Sequence, residues 1–124
     1  MGIYLNARMK EEFEGRVIWG FAPMYLFDGL DKNMFCPEDQ PIIRFNDTTL
    51  KLFNRLNINH EIEEMSLDIS NGDLFRLYKE TTRILNTWSP NMNKEQDRIL
   101  LTHIKWLNSF INVCLENELR VGLG

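Results

Sequence analysis

Between Asn93 and Arg120 the chain carries its most demanding pattern. Leu100, Ile104, Leu107, Ile111 and Cys114 recur at helical spacing, and Phe110 and Leu115 widen that stripe. Arg98, Thr102, Lys105, Ser109, Asn112 and Glu116 make the opposite side polar. Ile99, Trp106 and Val113, one heptad apart, add a second apolar row on the shoulder of the first. A helix this broadly apolar has to be covered on more than one side. The rest of the chain must therefore supply its cover.

The remaining segments divide into short extended runs and two further helices. Ile3, Leu5, Ala7 and Met9 alternate with Tyr4, Asn6, Arg8 and Lys10, the period of a strand with one buried face. Glu11 to Gly15 reads as a charged turn, longer than two residues. Arg16 to Phe21 follows as a second strand, with Val17, Trp19 and Phe21 on one side. The two form an N-terminal hairpin. Pro23 ends it, because proline cannot donate to a ladder. Met24 to Phe27 is an apolar run that reads as a helical turn or a bend plugging the sheet. Leu30 to Pro41 is rich in helix and strand breakers and forms the longest irregular segment. Loops of that length are uncommon in compact domains and are often functional or mobile.

Ile42 to Phe45 reads as a short strand or a lead-in. Asn46 or Asp47 caps a short helix with Thr49, Leu52, Phe53 and Leu56 on one face. Glu61 to Ile69 reads as extended. Ser70 and Asp73 resemble a capping box, opening a helix with Leu74, Leu77, Tyr78, Thr81, Leu85 and Trp88 on one side. Ser89-Pro90 breaks it. Asn91 or Asn93 caps the last helix, Arg120 suits its final turn, and Gly122 is placed to end it. The expected fold is α+β: one domain over 1–124, a small, mainly antiparallel sheet packed against two long helices and one short one.

Charge and cysteine content bound the function. The chain has 124 residues and a net charge of −4. A broad electrostatic nucleic-acid binder normally carries a basic surplus, so direct nucleic-acid binding is not expected. No apolar run approaches the roughly 20 residues of a membrane span. The start of the chain lacks the charged leader and apolar run of a signal peptide. Cys36 and Cys114 lie far apart, so reduced thiols and a cytoplasmic setting are expected.

Few groups of side chains have the composition for chemistry. His60 with Glu63 and Glu64 could ligate one metal only by sharing a helix face, and this segment reads as extended or irregular. His103 is the other histidine. Cys114 lies about 16 Å from it along one helix, at 1.5 Å per residue, so the two cannot pair. Cys36 could reach His103 only through the fold. No phosphate-binding glycine loop, serine nucleophile elbow or Cys-x-x-Cys pair is present. No catalytic residue, metal or cofactor is expected.

The acidic residues fall in turns and loops. The expected binding surface is the breaker-rich loop, through Asp31, Met34, Phe35, Glu38 and Asp39, together with Glu61, Glu63 and Glu64. In the breaker-rich loop, an apolar triplet of Met34, Phe35 and Cys36 either folds back or meets a partner. The partner would be another protein, with a basic surface facing those acids. The sequence thus reads as an acidic binding protein, most concretely an inhibitor or immunity-type protein covering a toxin, nuclease or defence enzyme. A self-associating accessory protein, dimerising through Ile99, Trp106 and Val113, is the alternative. A small histidine-dependent enzyme ranks third. Abundant asparagine, with lysine commoner than a GC-rich genome would give, fits an AT-rich bacterial or phage source.

Overall fold

A computed structural model describes residues 4–44, 46–56 and 67–123. The protein is α+β. Its elements are β1 (Tyr4–Phe13), β2 (Arg16–Phe21), β3 (Ile42–Arg44), α1 (Asp47–Leu56), β4 (Leu67–Ile69), α2 (Asn71–Thr87), α3 (Glu95–Glu116) and β5 (Arg120–Leu123). Two 3₁₀ turns, Met24–Phe27 and Lys32–Met34, punctuate the segment after β2.

The sheet is antiparallel in the order β2-β1-β5-β4, and β3 pairs with the first residues of β1. β1 is its longest strand and pairs with β2, β3 and β5. One side of β1 presents Leu5 and Ala7, both buried, as the alternation predicts. Directly opposite residues of an antiparallel pair share a face. Ile43 and Val121 therefore join Leu5 and Ala7, and all four are buried in the main core.

α3 lies across that face. Leu107, Phe110, Ile111 and Cys114 are buried, as the stripe requires. α2 packs beside α3 through Leu74 and Leu77. Thr81 is fully buried between these helices and satisfies its hydroxyl on the Leu77 and Tyr78 carbonyls. Asn108 of α3 then donates to the Thr81 and Thr82 hydroxyls at 2.8 and 2.9 Å. This polar link fixes the helix register where an apolar contact would let it slide. Ser70 caps α2 by accepting from the Asp73 N–H, and Asn46 caps α1 by accepting from Thr49.

Three sequence expectations are corrected. β1 continues through the charged Glu11 and Glu12 to Phe13, so the hairpin loop is only Glu14-Gly15. Both residues have positive φ, 51° and 74°, the type I′ geometry that matches strand twist. The last helix begins after Lys94, which makes no side-chain cap, rather than at Asn91 or Asn93. Asp97 reaches back instead and accepts from the Asn91 N–H at 2.7 Å.

The largest correction concerns the end of that helix. α3 stops at Glu116, and Arg120–Leu123 is a strand between β1 and β4. Glu118 turns the chain with φ of 53°, and the Leu119 N–H donates to the Cys114 carbonyl at 2.9 Å. That is the bond of a left-handed helix stop, made here without glycine. Gly122 sits inside the strand. A Cβ there would lie 3.1 Å from Asn6 Oδ1 and 3.3 Å from Asp68 Oδ1, so close approach explains the glycine. Glu118→Gly is expected to stabilise the protein by about 0.5–1 kcal/mol, read as a higher urea midpoint at unchanged slope.

Glu80 clasps α2 to α1. Arg83 donates to it through Nη2 at 2.6 Å and Nε at 3.1 Å, and Arg55 Nε of α1 lies 3.3 Å away. The Arg83 hydrogen bonds, with Arg55 adding, hold the Glu80 carboxyl below its ordinary value of 4.5. A carboxylate depressed on folding stabilises fully above its unfolded pKa, and that contribution disappears as pH falls through the folded value. Glu80→Gln should therefore lower stability at neutral pH, by no more than about 1 kcal/mol because both arginine partners are half exposed. Urea titrations across pH are expected to show the difference above pH 4.5 and its loss well below.

Candidate functional site

The breaker-rich loop is stitched down along most of its length. Trp106 Nε1 of α3 donates to the Asp31 carbonyl at 3.1 Å, while the Asp31 carboxylate accepts from the Asn33 N–H at 3.0 Å. Lys32 donates to the Phe27 carbonyl and pairs with Asp28. Phe35 folds inward to 2% exposure, among Phe27, Trp106 and Phe110. Of the two outcomes open to the Met34–Cys36 triplet, Phe35 takes the folded-back one and is a core side chain rather than an exposed one. Met34 is half-buried against the same core. Asp31, Glu38 and Asp39 stay exposed. Glu61, Glu63 and Glu64, with His60, lie outside the described residues.

The shoulder row of α3 is likewise divided. Trp106 is buried at 6% exposure, Val113 packs against the core and Ile99 is half exposed. Three residues in such different surroundings do not make one dimer face.

The fold does bring Cys36 and His103 together. Both line a cleft of about 230 Å³, with Arg44 of β3 and Trp106 on its walls. Among the described residues no hydrogen bond joins the pair, so the geometry of a nucleophile and its base is missing here. Cys114 is buried, and desolvation pushes its thiol far up. It is an inert packing residue. No group of three or more metal-ligating side chains gathers among the described residues.

The surface that sequence reasoning missed is the hairpin. Four of the eight large apolar side chains exposed among the described residues stand on it: Phe13, Val17, Ile18 and Phe21. β5 covers the flank of β1 only as far as Arg8. Beyond Arg8 the hairpin projects as a two-stranded arm. Phe21 pairs with Arg8, Trp19 with Lys10 and Val17 with Glu12, so all six point to the face opposite the helices.

Two cations cover part of that face. Arg120 lies 4.0 Å above the Trp19 ring and pairs with Asp68 at 3.4 Å. Arg8 sits 5.8 Å from the Phe21 ring centroid and donates to Asn6 Oδ1 at 2.9 Å. Cation–π contact keeps these rings wetted and ordered without burying them. The apolar side of β2 was legible from its alternation, but the face it would occupy was not.

β2 is also an edge strand. Ala22 donates to the Ala7 carbonyl, so in this register Ala22, Gly20, Ile18 and Arg16 direct their backbone groups at β1. Val17, Trp19 and Phe21 direct theirs outward. Among the described residues no strand pairs with that edge. It carries neither proline nor lysine, the usual protections of an unpaired edge.

These features define a class: a small α+β protein with helices on one face of its sheet and an apolar hairpin edge left open on the other. Comparison with protein-family models, with curated proteins and with solved structures finds no match to this chain. Among the described residues no helix is long and apolar enough to cross a membrane.

Proposed function

We propose that this protein acts by binding another protein, and that the contact runs along the outer edge and helix-free face of the β1–β2 arm. The observation carrying this reading is the exposure of Val17 and Phe21 on the helix-free face of an unpaired edge strand, with Ile18 and Phe13 exposed on the other face of the same arm. A partner segment in extended form would add a strand to β2, with main-chain bonds supplying affinity and the apolar side chains supplying selectivity. Glu12 and Glu14 near the tip of the arm favour basic residues in the part of the segment that meets them, while Arg8, Lys10 and Arg120 farther along the same face favour acidic ones. The concrete form is an inhibitor or immunity-type protein in the cytoplasm of a bacterium or of a phage-infected cell. It would cover a toxin, nuclease or defence enzyme whose working surface is basic, in keeping with the −4 charge of the chain.

The test compares three baits in lysate from the source cell. The wild-type chain is expected to recover one protein at near-stoichiometric amounts. Val17→Lys combined with Phe21→Lys should lose it while keeping a native circular dichroism spectrum. Glu38→Lys combined with Asp39→Lys should retain it. Equal recovery by the first two baits would refute the arm as the contact.

A second copy is the alternative occupant, and one observation favours it. A two-fold axis through Trp19 would set Val17 of one copy opposite Phe21 of the other, with matching outward backbone groups. Sedimentation showing only monomer at about 50 micromolar, where a dimer of roughly −6 kcal/mol would be half formed, removes this reading.

A further inference from the structure

A second surface, away from the hairpin, carries an independent inference. α1, the C-terminal part of α2 and the first half of α3 enclose a groove of about 350 Å³. Its floor is apolar: Leu52, Ile84, Trp88, Leu100 and Ile104. Its rim is cationic. Lys51 and Arg55 stand on α1, and Arg83 faces them from α2.

The charges do not cancel. Glu80 neutralises one unit between Arg55 and Arg83, which leaves the rim with two net positive charges in a chain of net charge −4. Lys51 has no ion-pair partner among the described residues, and Thr48, in the first turn of α1, lines the same groove. Asp47 in that same turn offsets the positive end of the α1 dipole, so the charge on that side of the groove rests on Lys51. An apolar floor under a cationic rim is the inverse image of one kind of ligand. The volume falls within the range of small-molecule sites, which join apolar walls to a few placed polar groups.

We infer that this groove binds a small amphiphilic anion, a carboxylate with a short alkyl or aryl body, with its head at Lys51 and its body on Trp88, Leu100 and Ile104. Neither Arg55 nor Arg83 has to leave Glu80 for this. The site makes no use of the hairpin edge, so it stands or falls separately from the protein contact proposed above.

Three eight-carbon probes separate head charge from body: octanoate, 1-octanol and octylammonium. Each is titrated into the full chain and followed through the methyl signals of Leu52, Ile84, Leu100 and Ile104 and the Trp88 indole signal. Octanoate is expected to shift all five and to bind about tenfold more tightly than 1-octanol, a difference of about 1.4 kcal/mol. Octylammonium should bind more weakly than either. Lys51 is exposed and Arg55 lies one turn on, so Lys51→Glu makes a helix-compatible pair and keeps the fold. That variant should lose the octanoate preference and keep the octanol affinity. Equal binding of octanoate and octanol, an unchanged preference in Lys51→Glu, or shifts confined to Val17, Trp19 and Phe21 would each overturn the assignment.

Discussion

A chain ending at Leu119 is expected not to fold. The five residues it lacks include all of β5, which lies between β1 and β4. Without that strand, β4 loses the only partner it has among the described residues, and β1 loses the pairing from Leu5 to Arg8. Val121, at 1% exposure, leaves the core, and Ala7 and Ile69 lose the neighbour beside them in the register. Buried backbone groups left without partners each cost about 1–3 kcal/mol. Several of them together exceed the roughly 5–15 kcal/mol that holds a domain of ordinary stability. Circular dichroism and proton NMR of the truncated chain should show neither a cooperative transition nor dispersed amide signals. A sharp thermal transition in that chain would show that β5 is dispensable.

Phe110→Ala should be the most damaging single truncation of a side chain. Phe110 stacks on Phe27 and on Trp106, with ring centroids 5.4 and 5.3 Å apart, and Phe35 closes the group at 6.3 Å. These rings tie α3 to the 3₁₀ turn at Met24–Phe27 and to the loop before β3, segments with little regular structure of their own. Removing the central ring leaves a cavity that its rigid neighbours fill poorly, at a cost of about 3–5 kcal/mol. For a chain of this size the melting temperature falls by roughly 10–20 °C. Phe75→Ala is the matched control. Phe75 is 53% exposed on α2, so the same chemical change there should alter stability by under about 0.5 kcal/mol. Similar losses at both positions would contradict the ring cluster as the link between α3 and the loop.

Much of this architecture was legible where local rules apply. The period of α3, the alternation at the start of β1, the caps at Asn46 and Ser70 and the stop at Ser89-Pro90 follow from short-range geometry. The errors came where local signals competed. Glu11 and Glu12 resemble a turn, yet they sit on a projecting strand where charge is tolerated because water reaches both faces. Gly122 resembles a helix stop, but the left-handed residue is Glu118, which carries no sequence mark for that conformation.

The candidate site was less legible than the fold. The loop from Asp31 to Asp39 has the composition of a mobile contact segment, yet Phe35 and the indole of Trp106 anchor it from opposite ends of the sequence. A hydrogen bond spanning 75 positions has no local precursor. The hairpin presented the reverse problem. Period-two alternation put Val17, Trp19 and Phe21 on one side of β2 without saying what lies against it.

By itself, then, the sequence determined the kinds of elements and the apolar side of each, because those depend on residues within a few positions of one another. The tertiary structure decided which apolar sides were covered. α3 had one sheet face to lie on, and the strand order put Leu5, Ala7 and Val121 beneath it while leaving Val17, Trp19 and Phe21 on the other side. That allocation depends on how distant segments share a limited area of contact, and no local pattern records it.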